Sequence, residues 1–258
     1  MKRARVIPVL LLSQGGLVKT KKFKNPAYVG DPINAVKIFN EKEIDEIVIL
    51  DIDATKERRG PNMQQISEIA GEAFIPLAYG GGITKVDQVK ELFYIGVEKV
   101  CFNNQAVRNP SLLTESAKLV GSKIVVASID VKKNLFGTYK VYTSNGSENT
   151  NHNPVDFAKS MESAGAGEIF LNVIDRDGTY SGYDLDLLEK VAKSLSIPLI
   201  ICGGAGSLID FKDAITNGAS AVAAGSFFVF QRPHNAVLIS YPSRKELVEK
   251  VYAVAQKP

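Results

Sequence analysis

Residues 75–104 read IPLAYGGGITKVDQVKELFYIGVEKVCFNN, and residues 197–226 read IPLIICGGAGSLIDFKDAITNGASAVAAGS, the same pattern without a gap. Ile75-Pro76-Leu77 matches Ile197-Pro198-Leu199, Gly81-Gly82 matches Gly203-Gly204, and Gly96 matches Gly218. Each copy spells a strand, a glycine turn, an amphipathic helix, a glycine, a strand and a second turn of small polar residues. The match extends backwards, because Glu46-Ile47 stands as far ahead of the first copy as Glu168-Ile169 stands ahead of the second. An internal repeat of this kind dictates the architecture before any single element does. The chain is therefore expected to consist of two related halves, about 1–121 and 122–258.

Outside the repeat, apolar β-branched runs alternate with helix-period segments, the signature of a parallel sheet with crossover helices. The strands are expected at Arg5–Leu12, Glu46–Asp51, Pro76–Gly80, Lys99–Asn103, Lys123–Ile129, Glu168–Val173, Pro198–Cys202 and Ala221–Ala224. Eight such strands and a length of 258 residues fit one (β/α)₈ TIM barrel, a single domain spanning 1–258. Asp31-Pro32 and Asn153-Pro154 each place a capping side chain before proline at the first helical position. Three stretches exceed a minimal barrel: a first loop, Ser13–Gly30; an insertion, Val131–Asn151, whose LFGTYKVYTS alternation predicts a hairpin; and Gln231–Ser243 before the last helix. Loops as long as the first are usually functional or mobile.

A net charge of +3 with scattered basic residues argues against a nucleic-acid partner. The apolar start Val6–Leu12 is interrupted by Pro8 and lacks a cleavage signal, so a buried strand explains it better than a leader or membrane segment. Cys101 and Cys202 make no disulfide framework, and a reduced, cytoplasmic setting is the default. His152 and His234 lack ligand-spaced partners, so no metal is expected, and nothing calls for a flavin, a nicotinamide or another cofactor.

In this architecture catalytic groups sit on the loops after the strands' C-terminal ends. The Gly-Gly turns there can bring backbone N–H groups up to an anion. Their recurrence on two walls favours phosphate binding over mere tight turning, with a phosphate at each end of the ligand. Asp51 and Asp53, Asp130, and Asp175 and Asp177 end strands two, five and six. Asp53 and Asp175 are best read as caps or ion pairs, whereas Asp130 stands at the rim directly after an apolar run. Its counterpart in the first half is Leu11, so an acid–base pair across the barrel would have one member only. Arg5, Glu46, Lys99 and Glu168 start their strands and cluster at the opposite mouth; from the residues alone, a neutralising plug is favoured over a gate. Tyr180 and Tyr183 belong either to the active-site rim or to an ordinary lid contact.

The motifs LVKT, DIDAT, YGGGI, KVCFNN, SIDVKK, GAGEI, DRDGTYSGYD, CGGAG and AAGSFF cover most of Arg5–Phe230, and together they resemble the cyclase subunit of imidazole glycerol phosphate synthase. The resemblance implies a glutaminase partner at the N-terminal mouth, whose ammonia passes a gate formed by Arg5, Glu46, Lys99 and Glu168. It thereby reverses the plug reading. It further implies reaction of ammonia with a bis-phosphate ribonucleotide, giving imidazole glycerol phosphate and an aminoimidazole carboxamide ribotide. Phosphate positions then fall on Gly82, Asn103, Gly178, Gly204, Gly225 and Ser226, with Asn104 where the family often has Thr. Lys19 matches the mobile-loop lysine, and Asp51 and Asp177 match substrate-positioning acids.

One departure bears on the chemistry. The family's acid–base pair maps onto Asp130 and position 11, and an aliphatic Leu11 transfers no proton; losing such a group costs about 10²–10⁴-fold in rate. The start VIPVLLLSQGGLVKT and the tail AVLISYPS look more like a paralogue subfamily associated with surface-polysaccharide genes, in which the barrel supplies ammonia to a sugar amidotransferase. Three readings stand side by side: a histidine-pathway cyclase, an ammonia-conducting subunit for sugar amidation, and a silent scaffold that activates a glutaminase. An isomerase of the same ancestry is weaker, having no use for an ammonia gate.

Overall fold

The computed structural model describes residues 3–253. Eight parallel strands close a barrel: β1 (Arg5–Ser13), β2 (Ile47–Asp51), β3 (Leu77–Gly80), β4 (Lys99–Phe102), β5 (Val125–Lys133), β6 (Glu168–Val173), β7 (Leu199–Cys202) and β8 (Ala221–Ala224). Closure comes from β8 pairing with β1, Arg5 opposite Ala221 and Pro8 opposite Ala224. Helices between the strands wrap the outside, and the architecture is the (β/α)₈ TIM barrel that the repeat predicts.

Strand side chains alternate between two faces, which separates two cores. Val6, Leu10 and Leu12 of β1 pack outward against the helices, together with Ile47, Ile49, Ile169 and Leu171. Ile7 and Val9 point inward with Val48, Val126 and Phe170, and Leu11 and Leu50 pack against that inner cluster. Odd-numbered positions of β1 and even-numbered positions of β2, β5 and β6 thus line the barrel. That parity aims Arg5 and Leu11 of β1, Asp130 of β5 and Glu168 of β6 inward, whereas Asp51 reaches the cavity from the last position of β2.

The repeat persists down to its caps. Gln88 and Asp210 occupy equivalent places one turn into their helices. Gln88 accepts from the N–H groups of Thr84 (2.8 Å) and Lys85 (3.0 Å), and Asp210 from those of Gly206 and Ser207 (both 2.8 Å). Both residues satisfy amides that the helix start would otherwise orphan. Asp31 and Asn153 cap their helices as expected, accepting from Asn34 (2.9 Å) and Val155 (2.8 Å) with proline following each cap.

Strand ends shift where local chemistry overrides the apolar pattern. Pro76 and Pro198 precede β3 and β7, since proline offers no N–H to the ladder. Residues Ser122–Ile124 form a 3₁₀ turn, so β5 starts at Val125; it runs on to Lys133 instead of stopping at Ile129. The extension pairs with Tyr139–Thr143 and forms the expected hairpin. The first loop is not an irregular segment. Its strands Gly16–Lys21 and Lys24–Gly30 pair antiparallel with each other, and the first of them pairs with the end of β1. Among the described residues no helix is long and apolar enough to cross a membrane.

Candidate active site

Strand register sets the chemistry at the catalytic end of the barrel. Asp130 of β5 stands opposite Asn172 of β6, and in the equivalent place in the other half Leu11 of β1 stands opposite Leu50 of β2. All four line one cavity of about 640 Å³. One wall therefore offers a carboxyl and a carboxamide, and the opposite wall offers two leucines. Burial pushes the Asp130 carboxyl up to about 7, against the opposing pull of hydrogen bonds from Asn172 and Asn103, while the nearby Asp177 pushes in the same direction as burial. The Asn103 amide donates to Asp130 Oδ2 at 3.0 Å and to the Ser128 carbonyl at 3.1 Å. Such a group can accept or return a proton near neutral pH.

The first glycine turn forms the cavity's edge with Asn103 and Asn104. Gly82 has φ 69°, and a Cβ there would stand 2.5 Å from the Arg59 carbonyl oxygen, so the turn demands glycine with or without a ligand. Asn104 Oδ1 is buried without a hydrogen-bond partner. Asp51 accepts from the Asp53 and Ala54 amides (both 3.1 Å) and from both terminal nitrogens of Arg59 (2.7 and 3.1 Å). It thereby presents Arg59 to the cavity, a residue with no distinguishing sequence signal. Asp53 and Asp175 act structurally: Asp53 accepts from Ser13 Oγ (2.8 Å) and the Gln14 amide (3.0 Å), and Asp175 from the Lys133 amide (2.8 Å).

Across the barrel, Gly225 faces Lys19. The lysine enters from the first loop, is 4% exposed, and bonds the Val9 carbonyl at 3.3 Å. Burial lowers its pKa, against the opposing pull of Asp177 and Cys202. Any Cβ at position 225 would fall 1.8 Å from Lys19 Nζ, so glycine makes room for the ammonium. Gly178, Gly204 and Ser226 lie outside the cavity lining; Gly178 belongs to the loop that follows β6, and that loop covers Gly204, the Gly182 amide donating to the Gly204 carbonyl at 2.8 Å. Asp177 holds the first loop in place, accepting from Thr20 Oγ1 (3.1 Å) and the Phe23 amide (3.3 Å), while its carbonyl takes the Lys22 amide (3.0 Å). Ser144 and Asn145, from the hairpin insertion, complete the mouth, with Asn145 donating to the Ile52 carbonyl at 2.7 Å. Tyr183 is buried, donating to the Ala223 carbonyl at 2.9 Å, and is a strut. His152 stacks on Phe157.

At the other mouth the four charged residues form a closed ring. Arg5 bonds both Glu46 and Glu168, and Lys99 Nζ reaches each glutamate at 2.8 Å. Both glutamates are almost fully buried, and Glu46 Oε1 keeps an unused lone pair. Burial alone would lower the Arg5 pKa, but Glu168 and Glu46 raise it beyond its ordinary value. Between this ring and the cavity lie Ile7, Val48, Val126 and Phe170, an apolar interval that Val9 continues into the cavity wall.

The model of the histidine biosynthesis protein family matches residues 5–233. The "Putative imidazole glycerol phosphate synthase subunit hisF2" of Pseudomonas aeruginosa is 51% identical over 248 residues, 96% of this chain and 99% of that protein. A similarly named HisF protein of Leptospira interrogans is 46% identical, over 95% and 98% of the two chains. The imidazole glycerol phosphate synthase subunit HisF of Alkaliphilus metalliredigens is 39% identical, over 96% of each. The chain thus belongs to the histidine biosynthesis protein family, among the HisF-like cyclase subunits of imidazole glycerol phosphate synthase.

Proposed function

We propose that this subunit takes ammonia from a glutaminase docked over the Arg5–Glu46–Lys99–Glu168 ring and delivers it, through the apolar interior, to the cavity beside Asp130. Neutral ammonia suits an apolar interval that would exclude ammonium. The ring is then the gate, and Gly82, Asn103, Asn104, Asp177, Gly178, Gly204, Gly225 and Ser226, with Lys19 and the Asp51–Arg59 pair, hold a phosphorylated ligand.

The fate of the ammonia turns on one observation: at the paired positions of the two walls Asp130 and Asn172 face Leu11 and Leu50, and Asp51, which follows Leu50, is engaged by Arg59. Ring closure of the bis-phosphate ribonucleotide calls for proton transfer at both walls. The one-sided site favours delivery to an acceptor outside the barrel, with a sugar amidotransferase as partner in surface-polysaccharide synthesis. The second reading, a histidine-pathway cyclase working through Asp130 alone, is favoured by the titration of that carboxyl near neutrality.

Turnover of the bis-phosphate ribonucleotide with excess ammonium at alkaline pH, on wild type and Leu11→Asp, separates the two. The delivery reading expects an inert wild type and a gain of about 10²–10⁴-fold on restoring the acid. Robust wild-type turnover would establish the cyclase instead.

A further inference from the structure

Two hairpins stand over the catalytic end, and both put lysine opposite lysine. In the insertion after β5, Lys132 pairs with Lys140; in the first loop, Lys21 pairs with Lys24. Like charges directly opposite each other on antiparallel strands repel, so each pair costs the isolated protein stability. Lys22 and Lys133 add two more cations beside them. Lys132 and Lys133 rest their ammonium groups over the Tyr142 and Tyr139 rings, 5.6 and 4.9 Å from the centroids, and Lys140 donates to the Asn151 carbonyl at 3.0 Å. Among the described residues, none of these lysines pairs with a carboxylate. The two insertions touch, since a Cβ at Gly146 would stand 3.2 Å from the Phe23 ring.

The tip of the insertion after β5 is apolar. Leu135 and Phe136 are 101% and 91% exposed. Their turn is tied by Asn134, whose Oδ1 accepts from the Phe136 and Thr138 amides (both 3.0 Å) and whose carbonyl accepts from the Gly137 amide (3.0 Å). Single exposed apolar residues are ordinary surface. Two in a row, on a turn tied in this way and next to uncompensated cations, form a knob. Steering of an anionic ligand would explain the lysines but not the leucine and phenylalanine. A second copy of this chain would bring the same cations face to face. A bilayer laid on this rim would seal the mouth from any soluble acceptor. A protein surface that is acidic around an apolar recess answers both features.

We propose that the Leu135–Phe136 tip and the flanking lysines dock an acidic face of the sugar amidotransferase, and so hold its acceptor site over the mouth through which ammonia leaves. The inference rests on the delivery reading, and adds where on the barrel the acceptor enzyme sits and what chemistry its surface carries.

Two measurements test it: sedimentation binding of the sugar amidotransferase of the same organism, and glutamine-driven against ammonium-driven amidation with the glutaminase added. Both are made on wild type, on Leu135→Ser combined with Phe136→Ser, and on Lys132→Glu. The apolar double variant is expected to weaken binding about tenfold or more, because two large side chains lose their burial. Lys132→Glu should weaken it several-fold, and more at low salt than at high. Glutamine-driven amidation should fall with binding, while ammonium-driven amidation and activation of the glutaminase hold. Lys132→Glu also sets a carboxylate opposite Lys140, so its urea midpoint should match or exceed that of the wild type, which separates docking from a structural role. Wild-type binding that both variants leave unchanged would overturn the docking site and spare the delivery reading. Sedimentation with equimolar phosphatidylglycerol–phosphatidylcholine vesicles, or self-association, that the variants lose while amidotransferase binding stays intact would assign the tip to a membrane or to a second copy and overturn the proposal. A wild type that neither binds the amidotransferase nor supplies it with ammonia removes the delivery reading, and the proposal with it.

Discussion

A carboxyl buried at the end of β5 makes its own prediction about stability. Asp130 titrates at about 7 in the folded chain against an ordinary 3.8, chiefly because burial penalises its charge. Below the unfolded value both states hold the proton. Between about 4 and 7 the native state holds a proton that the unfolded chain has released, so the contribution of this group to stability falls as pH rises through that window. Above it the native state carries the full cost of a buried carboxylate, up to about 4 kcal/mol for a shift of this size. Asp130→Asn is thus expected to match the wild type near pH 4 and to exceed it by an amount that grows to pH 8, as read from urea unfolding at the two pH values. A constant difference across that range would mean that Asp130 is solvated. Leu11 carries no such cost. The same substitution pattern that removes proton transfer from the first wall relieves the barrel of a second buried charge.

At the scale of elements, the mouth is a meeting of three insertions pinned by single residues. Asp177 holds the turn between the strands of the first loop through Thr20 and the Phe23 amide. That turn carries Lys21, Lys22 and Lys24, three sites for trypsin. Asp177→Ala is expected to speed trypsin nicking there several-fold, because local opening controls cleavage of an otherwise paired strand. A digestion rate equal to the wild type would show that strand pairing alone keeps the loop shut.

The barrel strands are legible in sequence because both their faces are buried and their runs stay apolar, with glycine turns marking the ends. The first loop is not legible as strands. In GLVKTK the buried Lys19 stands two residues from the exposed Lys21, and no apolar alternation tells them apart. Asn172 does leave a trace, a lone carboxamide inside the apolar run EIFLNV, but only the register with Asp130 gives it meaning. Arg59 leaves none, because it is placed by an irregular loop whose backbone bonds carry no periodicity.

For the molecule as a whole, the ring at the N-terminal mouth shows how the two halves have diverged. Glu46 and Glu168 occupy equivalent positions, but both cations, Arg5 and Lys99, come from the first half. Neither half can neutralise its own mouth: the second alone would bury an unpaired glutamate. Removing one partner of a buried ion cluster typically costs about 3–5 kcal/mol, because it strands the other charge. Arg5→Met is expected to fall at the lower end of that range, since the arginine keeps some contact with solvent. Arg5→Met combined with Glu168→Gln should cost less than the sum of the two single changes, because the residues share one network. Urea unfolding of the double-mutant cycle measures this coupling. The same variants separate a plug from a gate once a glutaminase partner is supplied. A plug predicts that ring variants lose stability while glutamine-driven and ammonium-driven turnover change in proportion. A gate predicts that glutamine-driven turnover falls while ammonium-driven turnover holds, because free ammonium can equilibrate through the open catalytic end whereas glutamine-derived ammonia must cross the ring. Leu11→Asp provides the turnover background in which to make that comparison if the wild type is inert.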